Sequence, residues 1–338
     1  MIYTVTLNPA IDRTIKLNSL KHGTLNVAEE SLINVGGKGI NVSMTLKTLG
    51  CDSTALGMAG GESGKYITEG LKAAGIPYFF MDTGNETRTN VKIMEQDGTL
   101  TELNEKGAPV DAALVDQFIE KVKNCLEADD ILVLSGSVPL GVPTDIYAKL
   151  IEIAHDIGTV TILDGDGDLL LYGIESGPDV IKPNISEFEK YLKQAEYWDE
   201  KETIKVQSDF DTEGYEEEAS AKTKIIKAVK KIFSTKNISQ IILSMGDKGA
   251  YFFDRNDERY LYCNVPEVQV QSTVGAGDSM VAAWAYAMNE GYNFEESARI
   301  AMATSAAAVE TPGTKAPSRE SIEAKQVGLE LHIRLSGE

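Results

Sequence analysis

Short β-prone apolar runs alternate with helical segments along most of this chain, and this alternation limits the folds that it can adopt. The pattern predicts a strand at residues 53–57 followed by a helix at 64–74. It also predicts a helix at 144–157 between strands at 131–134 and 160–163. Strands and helices that alternate in this way form βαβ units, in which each helix packs on a parallel sheet. The sequence therefore predicts a doubly wound α/β core.

Two regions do not fit the alternation, because they contain only short β-prone runs. They are residues 13–35 and 78–103, and in the second region a Gln96-Asp97-Gly98 turn is typical of a hairpin. We expect both regions to form a small separate β-sheet. The core would then consist of 1–12, 36–77 and 104–338.

One part of the core has a different composition from the rest. Residues 197–219 are strongly acidic and contain few aliphatic side chains. Such a stretch cannot bury much apolar surface, so we expect a surface insertion there.

The charge balance limits the class of ligand. Across 338 residues there are 52 Asp and Glu against 32 Lys and Arg, which gives a formal net charge of −20. This charge argues against nucleic acids and anionic membranes as partners, so an anionic small molecule would need a locally basic pocket.

The cysteines and the first residues indicate the compartment. Cys51, Cys125 and Cys263 are too widely spaced for a disulfide framework or a metal cluster. Residues 1–10 lack the basic start and long apolar core of a signal peptide. We therefore expect a cytoplasmic protein.

The stretch from Thr273 to Ser279 indicates chemistry on an anion. Gly275, Ala276 and Gly277 let backbone N–H groups close around a phosphate at the start of a helix, where the helix dipole is positive. Asp278 could accept a proton from a hydroxyl at such a site. This combination indicates phosphoryl transfer, although these seven residues alone also fit an ordinary helix start.

Other residues are candidates for binding phosphate or metal. Lys38 lies in a glycine turn, and Arg88 and Lys92 would share one face of a strand. Asn184 and Glu187 would lie on one face at a helix start, where Glu187 could hold Mg²⁺ through water or serve only in helix capping.

With these residues considered together, the chain resembles the PfkB-type sugar kinases of the ribokinase-like fold over nearly its whole length. The motifs that carry the resemblance are Leu7-Asn8-Pro9-Ala10 with Asp12, Gly36-Gly37-Lys38-Gly39-Ile40-Asn41, Ser135-Gly136-Ser137, Lys182-Pro183-Asn184 with Glu187, Ser244 with Gly246 and Gly249, and the Gly-Ala-Gly-Asp stretch. Within the family, Lys38 and the segment Thr87-Arg88-Thr89-Asn90-Val91-Lys92 are most similar to the bacterial 1-phosphofructokinase branch.

The resemblance implies an α/β core with a small β-sheet lid, and homodimers that associate through the lids. It implies ATP and Mg²⁺ as cofactors and phosphorylation of fructose 1-phosphate at its 6-hydroxyl. Tagatose 6-phosphate kinase and 6-phosphofructokinase activities are alternatives within the family, and a sugar-phosphate-binding regulator without turnover is an alternative outside the enzymes.

The resemblance also implies a role for each matched residue. It makes Asp278 the base and the backbone of Gly275, Ala276 and Gly277 the anion hole. The residues implied for the sugar hydroxyls are Asp12, Gly37 and Asn41, and those for the sugar phosphate or its neighbours are Lys38, Arg88, Asn90, Lys92 and Ser137. Those implied for ATP and Mg²⁺ are Lys182, Asn184, Glu187, Ser244, Gly246, Gly249 and Thr273. The turn from Asp164 to Asp168 is more acidic than the family's usual turn.

Overall fold

The computed structural model describes residues 1–199, 202–204, 215–257 and 259–335, and these residues form two β-sheets. The main sheet has the strand order β14-β13-β12-β11-β10-β9-β8-β1-β4-β5, and the lid sheet has the order β3-β2-β6-β7. The strands are β1 (Ile2–Thr6), β2 (Ala10–Leu17), β3 (Glu30–Gly36), β4 (Ser53–Ala59), β5 (Tyr78–Asp82), β6 (Thr89–Glu95), β7 (Leu100–Asn104), β8 (Ile131–Ser135), β9 (Val160–Asp164), β10 (Val180–Ile181), β11 (Gln240–Ser244), β12 (Ala250–Asp254), β13 (Arg259–Cys263) and β14 (Leu331–Leu335).

The main sheet confirms the predicted doubly wound core. The neighbouring strands β5, β4, β1, β8, β9, β10 and β11 pair in parallel. Beyond β11, the strands β12, β13 and β14 extend the sheet in antiparallel fashion. The helices are α1 (Lys38–Thr48), α2 (Gly61–Ala73), α3 (Ala112–Cys125), α4 (Ile146–Ile157), α5 (Asp168–Glu175), α6 (Ile185–Gln194), α7 (Tyr215–Thr235), α8 (Ala276–Glu290), α9 (Phe294–Val309) and α10 (Arg319–Val327).

Apolar clusters cover both faces of the main sheet. On one face, Phe118 of α3 and Tyr147 of α4 are fully buried. On the other face, Trp284 of α8 stacks on Phe252 of β12 with ring centroids 5.5 Å apart. Because the helices cover both faces, the carboxyl edge of the parallel strands is the place where a ligand site can open.

The lid is the four-stranded sheet of β2, β3, β6 and β7. β2 pairs in parallel with β6, and β7 follows β6 through the predicted hairpin turn at residues 96–98. Within the two predicted ranges, the lid strands cover 13–17 and 30–35 of the first and 89–95 and 100–103 of the second.

Two predicted boundaries of the lid are wrong. β5 pairs in parallel with β4, so residues 78–82 belong to the main sheet as its edge strand. Tyr78 and Phe79 are partly exposed, as is usual on an edge strand, and a short β-prone run in the sequence does not show which sheet it joins. At the other boundary, β2 starts at Ala10, which places Asp12 on the lid and not in the core.

The predicted acidic insertion is only partly within the described ranges. Residues 200–201 and 205–214 lie outside them, whereas 215–219 are the first residues of α7. Of the helices described, none has both the length and the apolar composition required to cross a lipid bilayer.

Candidate active site

A cleft of about 790 Å³ opens between the carboxyl ends of the parallel strands and the lid. Ser135 and Asp164, the last residues of β8 and β9, line it from the main sheet. Asp12 and Asn90 line it from the lid, and Asp278 lines it from the start of α8. The topology therefore brings both sheets and a helix N-terminus to one ligand-sized space.

The cleft brings together all of the site residues predicted from the sequence. They are Asp12, Gly37, Lys38, Asn41, Arg88, Asn90, Lys92, Ser137, Lys182, Asn184, Glu187, Ser244, Gly246, Gly249, Thr273, Gly275, Ala276, Gly277 and Asp278. Their common location agrees with one shared site, and the individual roles stay predictions.

The start of α8 has the geometry of an anion site. Gly275 precedes the helix with φ of 84°, a left-handed conformation that favours glycine. Gly275 makes no side-chain cap hydrogen bond, and the first N–H groups of a helix have no partner within the helix. Gly275, Ala276 and Gly277 all line the cleft. A Cβ atom at Gly277 would lie 3.3 Å from Nζ of Lys182 and would narrow the space between the helix and this ammonium group.

Asp278 is buried in the first turn of α8, with 6% of its surface exposed. Asn41 donates a hydrogen bond of 2.8 Å to its Oδ2 atom. Burial raises the pKa of Asp278 to about 6, against the opposing charge of Lys38 and with a further increase from Asp164. A carboxylate with this pKa is ionised at neutral pH and is a better proton acceptor than an exposed aspartate.

Two lysines meet beside Asp278 on one carboxylate oxygen. Nζ of Lys38 lies 3.3 Å from Oδ1 of Asp164, and Nζ of Lys182 lies 3.2 Å from the same oxygen. Burial opposes the charged form of Lys38, but the charges of Asp164, Asp278 and Glu187 raise its pKa above the ordinary value. Burial likewise opposes ionisation of Asp164, and the charges of Lys182 and Lys38 nonetheless lower its pKa. The cleft thus brings two ammonium groups together in a strongly acidic protein, with their charge balanced by neighbouring carboxylates.

On the lid side, Asp12 is held by two side chains of β6. Lys92 lies 2.9 Å from Oδ2 of Asp12, and Asn90 donates a hydrogen bond of 3.2 Å to Oδ1. A Cβ atom at Gly36 would lie 2.6 Å from the carboxyl carbon of Asp12, so this glycine leaves room for the carboxylate. The nearest anion to Lys92 is therefore a protein carboxylate, although the sequence suggested a sugar phosphate.

Arg88 links the lid to the core. Its guanidinium group donates to the carbonyl oxygen of Asn8 at 3.0 Å and to that of Glu105 at 2.7 Å. The amide of Asn8 in turn donates to Oγ of Ser137 at 3.2 Å. These contacts place Arg88 and Ser137 on the same side of the cleft.

Several cleft residues were not identified as ligand contacts from the sequence. Thr6, Ser135, Asp164 and Thr314 each have a buried side-chain oxygen without a hydrogen-bond partner among the described residues. Unpaired buried polar atoms are costly, so a ligand is the natural partner for oxygens that line a cleft. A polar residue at the end of an apolar strand, as at Ser135 and Asp164, is the sequence signal that could have identified two of them.

Apolar side chains also line the cleft. They include Val265, Val268 and Val309, and the lining contains Ser244 and Gly246 as well. A Cβ atom at Gly246 would meet nothing within 4 Å, so this backbone borders open space. A cleft with both apolar side chains and a helix N-terminus in its lining suits a nucleotide, which has a flat base and anionic phosphates.

The Mg²⁺ prediction depends on Glu187. Asn184 accepts a hydrogen bond from the Glu187 N–H at 2.9 Å, and Oε2 of Glu187 accepts from the Asn184 N–H at 2.8 Å, which is a complete capping box. Glu187 also lines the cleft. No group of three or more His, Cys, Asp or Glu in the described ranges could hold a metal ion. Mg²⁺ commonly takes one or two carboxylates together with water and substrate phosphates, so a carboxylate such as Glu187 on the cleft wall fits this ion.

Comparison with known proteins agrees with this geometry. The family model described as pfkB family carbohydrate kinase matches residues 5–321. A 1-phosphofructokinase from Borreliella burgdorferi is 35% identical over 308 residues, which cover 91% of each chain. A tagatose-6-phosphate kinase from Staphylococcus epidermidis is 33% identical over 284 residues, which cover 83% of each chain.

Solved structures show the same fold. Phosphofructokinase-2 from Escherichia coli in complex with substrates and products aligns with a TM-score of 0.85 and 26% identity, covering 96% of this chain and 98% of that one. A tetrameric inhibited form of the same enzyme aligns with a TM-score of 0.82, the same identity and the same coverage.

Proposed function

Because the chain belongs to the pfkB family of carbohydrate kinases, we propose that it transfers a phosphoryl group from ATP to the 6-hydroxyl of fructose 1-phosphate. The products are fructose 1,6-bisphosphate and ADP. One observation supports this most directly: Asp278 is buried at the uncapped start of α8, next to the paired ammonium groups of Lys38 and Lys182.

Asp278 is the proton acceptor in this proposal. As the sugar hydroxyl attacks the γ-phosphorus of ATP, its oxygen forms the new P–O bond, the bond from that phosphorus to the bridging oxygen of ADP breaks, and the hydroxyl proton moves to the carboxylate. The hydrogen bond from Asn41 orients the carboxylate, and burial favours the protonated product of this step.

The groups around Asp278 stabilise negative charge on the phosphoryl group during its transfer. Backbone N–H groups of Gly275, Ala276 and Gly277 and the ammonium groups of Lys38 and Lys182 line the region where negative charge develops. ATP supplies the phosphoryl group, and Mg²⁺ when bound would neutralise charge on its phosphates near Asn184 and Glu187.

The sugar phosphate would bind between the core and the lid. Asp12, Gly37 and Asn41 would hold its hydroxyl groups, and Arg88, Asn90 and Ser137 are the candidates for its phosphate. The main argument for fructose 1-phosphate is the segment from Thr87 to Lys92, and the identity of 35% to a 1-phosphofructokinase against 33% to a tagatose-6-phosphate kinase points the same way.

The substrate is tested by ADP release with fructose 1-phosphate, fructose 6-phosphate and tagatose 6-phosphate at equal concentrations. We expect kcat/KM for fructose 1-phosphate to exceed the others by at least about tenfold, since a misplaced phosphate leaves charged groups unpaired. A smaller preference contradicts this substrate, and a higher value for tagatose 6-phosphate would favour the alternative. Binding of sugar phosphate without any ADP release would favour the regulator.

We also propose that the chain forms homodimers through the outer face of the lid. The strand register places Ile33, Arg13, Val91 and Leu103 in one row on the face opposite Asp12. Ile33 is 50% exposed and Leu103 is 58% exposed. A four-stranded sheet with an uncovered apolar outer face gains stability when a second copy covers it.

Sedimentation of the wild-type protein and of Leu103→Glu tests the dimer. We expect wild type to sediment as a dimer of the 36.7 kDa chain and Leu103→Glu to sediment as a monomer. Val327→Glu, which changes a side chain of α10 that is 90% exposed, is the control and should leave the dimer intact. A monomeric wild type at micromolar concentration contradicts the proposal.

A further inference from the structure

The proposed reaction leaves one buried carboxylate of the cleft without a role. Asp164 ends β9 and is 1% exposed. Its Oδ1 atom contacts both Lys38 and Lys182, while its Oδ2 atom is buried without a hydrogen-bond partner in the described ranges. Both ammonium groups therefore converge on a single oxygen.

This convergence requires a negative charge. Lys38 comes from the start of α1 and Lys182 follows β10, so the two lysines approach from different crossovers. Lys182 has a side chain that is only 5% exposed and cannot turn its charge into water. Two ammonium groups this close repel each other, and removing the carboxylate between them would leave buried charge unbalanced.

The ammonium groups of Lys38 and Lys182 lie against the start of α8. The nitrogen of Lys182 is close to Gly277, the residue before Asp278. Because both nitrogens lie within 3.3 Å of one oxygen, both can reach oxygens of the same phosphoryl group. The position of each lysine thus depends on Asp164.

We propose that Asp164 is a positioning residue for phosphoryl transfer: its carboxylate holds the ammonium groups of Lys38 and Lys182 together beside the start of α8 and balances their charge next to Asp278. The inference rests on the proposed function, since it takes Asp278 as the proton acceptor. Asp164 itself touches neither the attacking hydroxyl nor the leaving group in this role.

The electrostatic consequence for Asp278 has a definite sign. The charged and polar groups that act on Asp278 are Lys38 and Asn41 from α1, Asp164 from β9, and Lys182 after β10. After the effect of burial, the lysines lower the pKa of Asp278 and Asp164 raises it. Neutralising Asp164 should therefore lower this pKa, and neutralising Lys182 should raise it.

The first test measures the titration of Asp278 directly. The carboxyl ¹³C signal of Asp278 is assigned by its loss in Asp278→Asn and is followed against pH in the full chain. We expect Asp164→Asn to move its midpoint down and Lys182→Gln to move it up, each by roughly half a pH unit or more. The double variant should titrate close to wild type, and Asp164→Glu, which keeps the charge, should stay near wild type.

A defect in folding would not produce opposite shifts that cancel in the double variant. If Asp164→Asn does not fold, the titration midpoint of Asp278 is compared between Lys182→Gln and the double variant, in which both opposite charges are removed. The added Asp164→Asn change should then lower the midpoint relative to Lys182→Gln. A midpoint that Asp164→Asn leaves unchanged or moves upward overturns the proposal.

The second test measures catalysis. We expect Asp164→Asn to lower kcat on the order of 10- to 100-fold, because the lysines are no longer held where charge develops. Asp168→Asn changes an exposed carboxylate at the start of α5 that does not line the cleft, and it should leave kcat within about twofold of wild type. Equal kcat values for wild type and Asp164→Asn would contradict the proposal. If wild type turns over no sugar phosphate, the proposed function fails, and the titration still decides the role of Asp164 toward the lysines.

Discussion

The side-chain amide of Asn41 donates a 2.8 Å hydrogen bond to the carboxylate of Asp278 and so joins the first turns of α1 and α8. The glycines before Asn41 allow this approach. A Cβ atom at Gly39 would lie 2.5 Å from the carbonyl oxygen of Val5, so only glycine lets α1 begin this close to β1. The proton acceptor is thus oriented by a helix whose position depends on its glycine turn.

The first prediction concerns turnover by Asp278→Asn. Asparagine keeps the size of the side chain and can accept the hydrogen bond from Asn41, but it lacks the charge that receives the proton. We expect kcat to fall by about 10²- to 10⁴-fold while KM for the sugar phosphate changes far less. Steady-state kinetics with Asp116→Asn, an exposed position on α3, as the control checks this. Retention of more than about a tenth of wild-type kcat would contradict the role of Asp278 as base.

The second prediction concerns the pH dependence of activity. Because burial raises the pKa of Asp278 to about 6, the carboxylate gains a proton as pH falls through that value. Activity should therefore decline below about pH 6, far above the ordinary aspartate value of 3.8. A profile of kcat/KM against pH, measured with ADP release, checks this. An acid limb that lies near pH 4 would show that Asp278 is not the titrating group.

The third prediction concerns stability. The pKa of Asp278 is higher in the folded protein than the ordinary 3.8, so the folded state binds a proton that the unfolded chain releases. Stability linked to this proton is fully present below pH about 4 and is lost as pH rises through about 6. At pH 8 the buried charge of Asp278 is thus destabilising. Asp278→Asn should therefore raise the free energy of unfolding by an amount on the order of 1–3 kcal/mol.

Thermal unfolding at several pH values checks the third prediction. The gain in Tm for Asp278→Asn should be a few degrees at about pH 8, should be smaller at about pH 5 and should largely disappear below about pH 4. Asp116→Asn should show no such dependence. A variant that is less stable than wild type at the higher pH would contradict the destabilising effect of this carboxylate.

The sequence predicted much of the fold because the features involved are local. The alternation of strands and helices depends on apolar periodicity within each segment, and it located most of the main sheet. The Asn-x-x-Glu pattern at Asn184 and Glu187 likewise gave a capping box that the structure contains. By contrast, α10 and β14 were not predicted, and β5 was assigned to the wrong sheet because periodicity does not show which neighbour a strand pairs with.

The site was predicted as a set of residues but not as a set of contacts. Lys38, Asp164 and Lys182 are far apart in the chain, and their convergence depends on the order of β8, β9 and β10 in the sheet. The partner of Lys92 depends on the parallel register of β2 and β6, in which Asp12 lies opposite Asn90. Sequence periodicity places Lys92 on the cleft face, but it contains no information about that register.

The fourth prediction concerns Lys92, which forms a buried ion pair with Asp12. This ion pair fixes the position of the carboxylate that would hold the sugar hydroxyls. Both side chains are less than a tenth exposed, so Lys92→Met leaves the charge of Asp12 buried without its cation. Removing one partner of a buried ion pair is strongly destabilising, so the carboxylate of Asp12 should move from its present position. Because Asp12 lies on the lid and Asp278 at the start of α8, the sugar should bind less tightly while the transfer step is less affected.

We expect Lys92→Met to raise KM for the sugar phosphate on the order of tenfold, which corresponds to about 1.4 kcal/mol, and to change kcat by less. Lys92→Arg keeps the charge and should recover part of the affinity. Lys16→Met, which removes a lysine of β2 that is 40% exposed, is the matched control within the lid and should leave KM within about twofold. If KM for the sugar phosphate is unchanged in Lys92→Met, the ion pair does not position Asp12 for substrate. If kcat falls while KM stays constant, Lys92 acts at the reacting end of the cleft and not through Asp12.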